Sequence, residues 1–161
     1  MNIEVNSLLH GFFGTVFLIL FAWSAELLWD LKPERVRRLK VVVSLIVASV
    51  VIHNSWGTYI YQFYRADTPD SPRSLILASD NLRWLHTILM EYKEFVAGFV
   101  PILTIAALFA IFYYGDDLLP RRGVRIAILI ILAVAFAFAL MAFGMGVLIT
   151  KYAPLGGGVL Q

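Results

Sequence analysis

Residues 124–150 read VRIAILIILAVAFAFALMAFGMGVLIT, with a charge at Arg125 and no other before Lys151. A helix needs about 20 predominantly apolar residues to cross the hydrocarbon core of a bilayer, and this run supplies them. The soluble alternative is a buried helix of a bundle, which such a sustained apolar run disfavours. The rest of the chain has the same pattern. Of its 161 residues 60% are apolar and 15% charged, above the apolar share of about half in globular proteins, and the apolar residues gather in long runs. Four spans are predicted, at 8–30, 40–63, 84–114 and 124–150. The expected fold is all-α: an integral membrane four-helix bundle, up-down and antiparallel, forming a single domain over 1–161.

Charge placement orients the bundle. The first connection holds Lys32, Arg35, Arg37, Arg38 and Lys40, and the third holds Arg121, Arg122 and Arg125. The second is mixed, with Arg65, Asp67, Asp70, Arg73, Asp80 and Arg83. Positive connections stay on the cytoplasmic side, so both termini and the 65–80 segment are expected outside. The predicted location is a multi-pass protein of a bacterial inner membrane. The basic run is read as this topology signal, so lipid is an expected partner and nucleic acid is not. Glu4 and Asn6 precede the first span where a signal peptide would carry Lys or Arg, and the span runs too long for a signal h-region. It is expected to remain as a membrane helix. With no cysteine, disulfides, thiolate metal sites and covalent c-type haem are excluded.

Ionisable residues inside a membrane span are functional candidates by default. Three histidines qualify: His10, His53 and His86. Glycines follow two of them at the i+4 position, Gly14 after His10 and Gly57 after His53, which leaves a bare patch beside each imidazole on one helix face. A flat cofactor could lie there. Counting from a first connection centred near residue 35 sets His10 and His53 apart by roughly 10 Å in height. Counting from an outer loop centred near residue 70 makes His53 and His86 nearly level. A b-type haem needs one or two imidazoles from facing helices. His53 with His86 satisfies the level, and His10 with His53 satisfies the shared H-x-x-x-G pattern. Gly11 widens the gap, Phe13, Phe17, Trp56 and Met90 could wall the ring, and Arg83 could pair with a propionate. The competing assignments are packing histidines and, for His86, a solvated rim residue.

A second constellation lies at the start of the third span. His86, Met90 and Glu94 share a face at i, i+4 and i+8, with Glu91 adjacent. With His53 they could hold copper or zinc, or bind a quinol headgroup whose two protons pass to a histidine and a carboxylate. The alternative is a solvated collar of Glu91, Glu94, Lys93 and Arg83. Pro101 is expected to kink this span, Asp80 to cap it, and Gly144 and Gly146 to allow close packing by the fourth.

Outer-side histidines with H-x-x-x-G spacing on a short four-span chain resemble the small membrane b-type cytochrome subunits, over spans 1 to 3. That resemblance implies haem b and electron transport between a quinone pool and larger membrane or periplasmic redox subunits. It departs from the diheme members, which place histidine pairs on both sides of the membrane, so one haem near the outer face is implied. The expected function is therefore an electron-transfer subunit, not an enzyme by itself, inside an oxidoreductase complex. Two other classes remain open: a cofactor-free accessory subunit of a membrane complex, and a small metal or proton transporter.

Overall fold

A computed structural model describes residues 3–153. The described chain is 87% helix with no strands. Five α-helices run in the order α1 (Ile3–Trp29), α2 (Pro33–Tyr64), α3 (Pro72–Ala78), α4 (Glu91–Tyr114) and α5 (Arg122–Tyr152). The expected count of four missed α3. A π-helical turn, Leu85–Met90, leads into α4, and a 3-10 turn, Gly115–Leu118, comes after it.

Among the described residues, three helical stretches are long and apolar enough to cross a membrane: Leu8–Trp29, Leu85–Leu118 and Arg122–Tyr152. The fourth expected span, α2, lies outside that set. Its first turns carry Arg35, Arg37, Arg38 and Lys40, and its last turns carry His53, Asn54, Tyr59 and Tyr61. It packs between α1 and α4. Val36, Leu39, Val43, Ile46 and Val50 are all buried, and their alternating spacing of three and four forms one continuous seam. The long helices contact one another in a cycle, α1 on α2, α2 on α4, α4 on α5 and α5 on α1.

Boundaries reflect local chemistry. Pro33 opens α2, where its missing N–H costs nothing. Arg35 reaches back across the α1–α2 turn to Glu26 at 2.7 Å and Asp30 at 3.4 Å. Ser71 caps α3 by accepting from the Ser74 N–H at 3.2 Å. Asp80 caps nothing: the helical run after it begins at Trp84 without a side-chain cap, and Asp80 lies 3.8 Å from Arg83. Gly115 closes α4 with φ of 50°, a left-handed conformation that favours glycine. Pro101 lies within α4 without ending it.

The turn between α1 and α2 occupies only Asp30–Lys32, because the basic residues that suggested a longer loop are helical. Centred on Leu31, the two helices bring His10 and His53 level, which corrects the expected offset. The second connection corrects the other count. Residues 65–84 are spent on turns and on α3, so His86 meets Tyr64 at the far end of α2. That point lies roughly 16 Å along the axis from His53.

The outer surfaces of the long helices carry large apolar side chains, among them Ile19, Ile102, Phe109 and Ile130 at 57–70% exposure. A bilayer accounts for such a surface; water does not. Ala137, exposed at the midpoint of α5, separates the two environments. Ala137→Arg is expected to weaken insertion by about 2.5–3.5 kcal/mol in a translocon assay. A water-facing position would shift by no more than about 0.5 kcal/mol.

Candidate functional site

Two hydrophobic clusters stabilise the two ends of the molecule. The larger, around Leu39, Ile46, Ala107 and Leu132, fills the end bearing the α1–α2 and α4–α5 turns. The smaller, around Tyr64, Ile76, Leu85 and Ile149, fills the end bearing α3. Between them lies a cavity of about 500 Å³, walled by α1, α2, α4 and α5. Its polar lining includes His10, His53, Asn54, Tyr61, Lys93 and Glu94. Gly98 leaves open wall between them, and Met90 lies near the α3 end.

His10 and His53 are in direct face-to-face contact. Their ring centroids are 3.8 Å apart with planes 14° from parallel. Nδ1 of His10 lies 3.1 Å from the backbone oxygen of His53, and Nδ1 of His53 lies 2.9 Å from that of His10. A carbonyl oxygen only accepts, so each Nδ1 carries the hydrogen and donates. In the neutral imidazole each Nε2 then keeps its lone pair.

The glycines complete the exchange. A Cβ on Gly57 would stand 2.9 Å from Cε1 of His10, and one on Gly14 would stand 3.3 Å from Cε1 of His53. Each H-x-x-x-G segment therefore supplies the ring that fills the other's notch. The carbonyl receiving each Nδ1–H also accepts from its own glycine's N–H in the helical ladder, using both lone pairs. The notches beside Gly14 and Gly57 thus hold imidazole. Gly14 borders a smaller space of about 50 Å³ beside His53, against Phe17 and Val100.

His86 does not join this pair. It is 6% exposed in the π-helical turn. Arg73 Nε donates to its Nε2 at 3.2 Å, so its Nδ1 carries the hydrogen and donates to the Tyr64 hydroxyl at 3.1 Å. Both nitrogens are committed. Tyr64→Phe would leave that Nδ1–H buried without an acceptor, and is expected to destabilise by about 1–3 kcal/mol in detergent unfolding. The Tyr64 hydroxyl would be shown idle by a wild-type midpoint.

The remaining candidates divide between cavity and surface. Met90 and Glu94 line the cavity. Glu91 lies at the surface, 2.9 Å from Arg65. Arg83 is exposed beside Asp80, so no ligand in the cavity meets it. Among the described residues, no three His, Asp or Glu side chains gather to hold a metal ion, which removes the copper or zinc arrangement from the described part. Gly144 has open space at its Cβ position, whereas Gly146 faces Lys93.

Lys93 is the residue whose place the sequence concealed. It reads as collar, bracketed by Tyr92 and Glu94, yet its side chain lines the cavity. The available signal was its position within a helix that stays apolar for the next five turns. Two other polar atoms on this wall, the Tyr61 hydroxyl and Glu94 Oε1, are buried without a hydrogen-bond partner among the described residues. Arg65 lies 3.9 Å from the same Glu94 Oε1.

No protein-family model matches the chain, and no curated protein or solved structure matches it.

The residues can be tested against the haem that the histidines suggest. Two imidazoles stacked face to face cannot approach one iron from opposite sides, and His86 has no free nitrogen. Bis-histidine ligation does not fit this geometry. Ligation by one imidazole does. The carbonyl-bonded Nδ1 fixes the tautomer and orientation in the manner of a metal-ligating histidine, and the cavity has the size of a cofactor site.

Proposed function

We propose that the protein is a multi-pass membrane subunit for electron transfer, holding one b-type haem in this cavity on a single imidazole of the His10–His53 pair. The observation that carries the proposal is the pair itself: two imidazoles with Nδ1 donated to carbonyls and Nε2 left free, on the wall of a cavity of about 500 Å³. A bound haem supplies one-electron exchange between ferric and ferrous iron. One imidazole of the pair would hold the iron, with Met90 among the residues lining the cavity. We place the cavity in the outer half of a bacterial inner membrane, with α2 as a fourth crossing and both termini outside. The connection between α2 and α4 would then meet a larger redox subunit.

A quinol headgroup is the second occupant, favoured by the Tyr61 hydroxyl and the Glu94 carboxylate on the cavity wall. It needs hydrogen-bonding groups of this kind and no metal ligand.

Reduced-minus-oxidised difference spectra of the protein purified in mild detergent test the proposal. The wild type is expected to show a b-type α-band, before or after incubation with haemin. His10→Ala or His53→Ala, whichever removes the ligand, is expected to abolish it while the other shifts it. A wild type that stays colourless after haemin overturns the haem reading. Displacement of a bound quinone analogue by Glu94→Gln in that colourless protein would favour the quinol.

A further inference from the structure

The cavity wall carries a cation, Lys93, that makes no direct ion pair among the described residues, with the Glu94 carboxylate beside it. Lys93 lies about 12 Å into the helical run that starts at Leu85, and its side chain crosses from α4 toward α5. A Cβ on Gly146 would stand 3.2 Å from Lys93 Cε, so the glycine gives the stem its room. Every ion pair formed by the described residues involves other cations: Lys32, Arg35, Arg65, Arg83 and His86. The adjacent carboxylate, Glu94, lies 3.9 Å from Arg65. The two imidazoles on the wall offer nitrogens, not negative charge. The lining also includes apolar Ala97, Phe143 and Val147 and the hydroxyl of Thr150, none of which carries a charge.

Lys93 is half-buried on the cavity wall, and an ammonium partly withdrawn from water is stabilised by an opposite charge with good geometry. We infer that Lys93 anchors a carboxylate carried by an otherwise apolar ligand in the cavity. It thereby fixes the ligand's orientation and selects acids over their neutral esters. The inference rests on the cavity being a ligand site, not on that ligand being haem. Two sources carry this chemistry: a propionate of the proposed porphyrin, or a free fatty acid from the surrounding lipid.

The experiment uses the full chain in detergent, as wild type, Lys93→Met and Lys93→Arg, with three probes: haemin, haemin dimethyl ester and radiolabelled oleate. If a porphyrin propionate is the partner, the wild type binds haemin at least about tenfold more tightly than the diester. Lys93→Met then erases the preference and Lys93→Arg retains it. If the source is lipid, the wild type retains oleate, Lys93→Met loses it, and neither porphyrin binds, so the inference stands while the haem reading falls. Equal binding of haemin and its diester by the wild type, or a preference that survives Lys93→Met, overturns the inference and leaves the haem reading intact. Binding of none of the probes removes both. Equal binding of acid and ester by the wild type overturns the inference even if Lys93→Met fails to fold.

Discussion

Gly57→Leu is expected to destabilise the protein by about 3 kcal/mol, measured by thermal or denaturing-detergent unfolding in mixed micelles. A Cβ alone would stand 2.9 Å from His10 Cε1, closer than real contacts allow. The imidazole is the end of a side chain, but it is not free to swing. Its Nδ1 is held by the His53 carbonyl at 3.1 Å and its face by the His53 ring at 3.8 Å. Displacing it gives up a hydrogen bond of about 0.5–1.5 kcal/mol and an aromatic contact of similar size. The larger leucine adds an overpacking cost of about 1–3 kcal/mol.

Gly57→Ala meets the same atom with a smaller group and gains about 1 kcal/mol of helix propensity, so its net cost is smaller. Gly14→Ala, at 3.3 Å from its ring, is milder again. Gly11→Ala meets nothing within 4 Å and is expected to be neutral or stabilising. The order, with Gly57→Leu worst and Gly11→Ala best, is the signature of the reciprocal clasp. Equal effects at Gly57 and Gly11 would show that neither notch holds a ring.

What the sequence made legible, and what it hid, divides at contacts between helices. Long apolar runs revealed α1, α4 and α5 because hydropathy is a property of each segment alone. The basic cluster at Arg35, Arg37 and Arg38 looked like a loop because charge is common in loops, yet these residues are the solvated start of α2. Misplacing that turn by four residues was enough to separate His10 from His53. The H-x-x-x-G spacing correctly marked two bare patches. A notch does not announce its occupant, however, and only the register of the antiparallel pair shows that each patch receives the other helix's imidazole. Arg83 and Lys93 exchanged their expected surroundings for a similar reason. The π-helical turn at Leu85–Met90 shifts the helical phase of α4 relative to the residues before it, and phase decides which side chain faces the cavity.

The second large effect concerns the imidazoles themselves, and it separates their packing from their chemistry. His10→Ala and His53→Ala are each expected to cost about 2–3 kcal/mol, through a lost stack, a lost Nδ1–H bond and a void beside the partner's glycine. The double variant is expected to cost less than the sum by about 0.5–1.5 kcal/mol, because one stack cannot be lost twice. Strict additivity would mean that the rings do not interact. Phenylalanine refines the test. His10→Phe and His53→Phe keep a ring in the opposing notch and lose the donor, so they should recover most of the stacking loss and none of the hydrogen bond. They also remove Nε2, the atom proposed to hold iron. A near-native unfolding midpoint with the α-band abolished in one of them would identify the axial ligand. A clasp that serves packing alone would instead leave wild-type spectra in both phenylalanine variants, since Nε2 would then hold nothing.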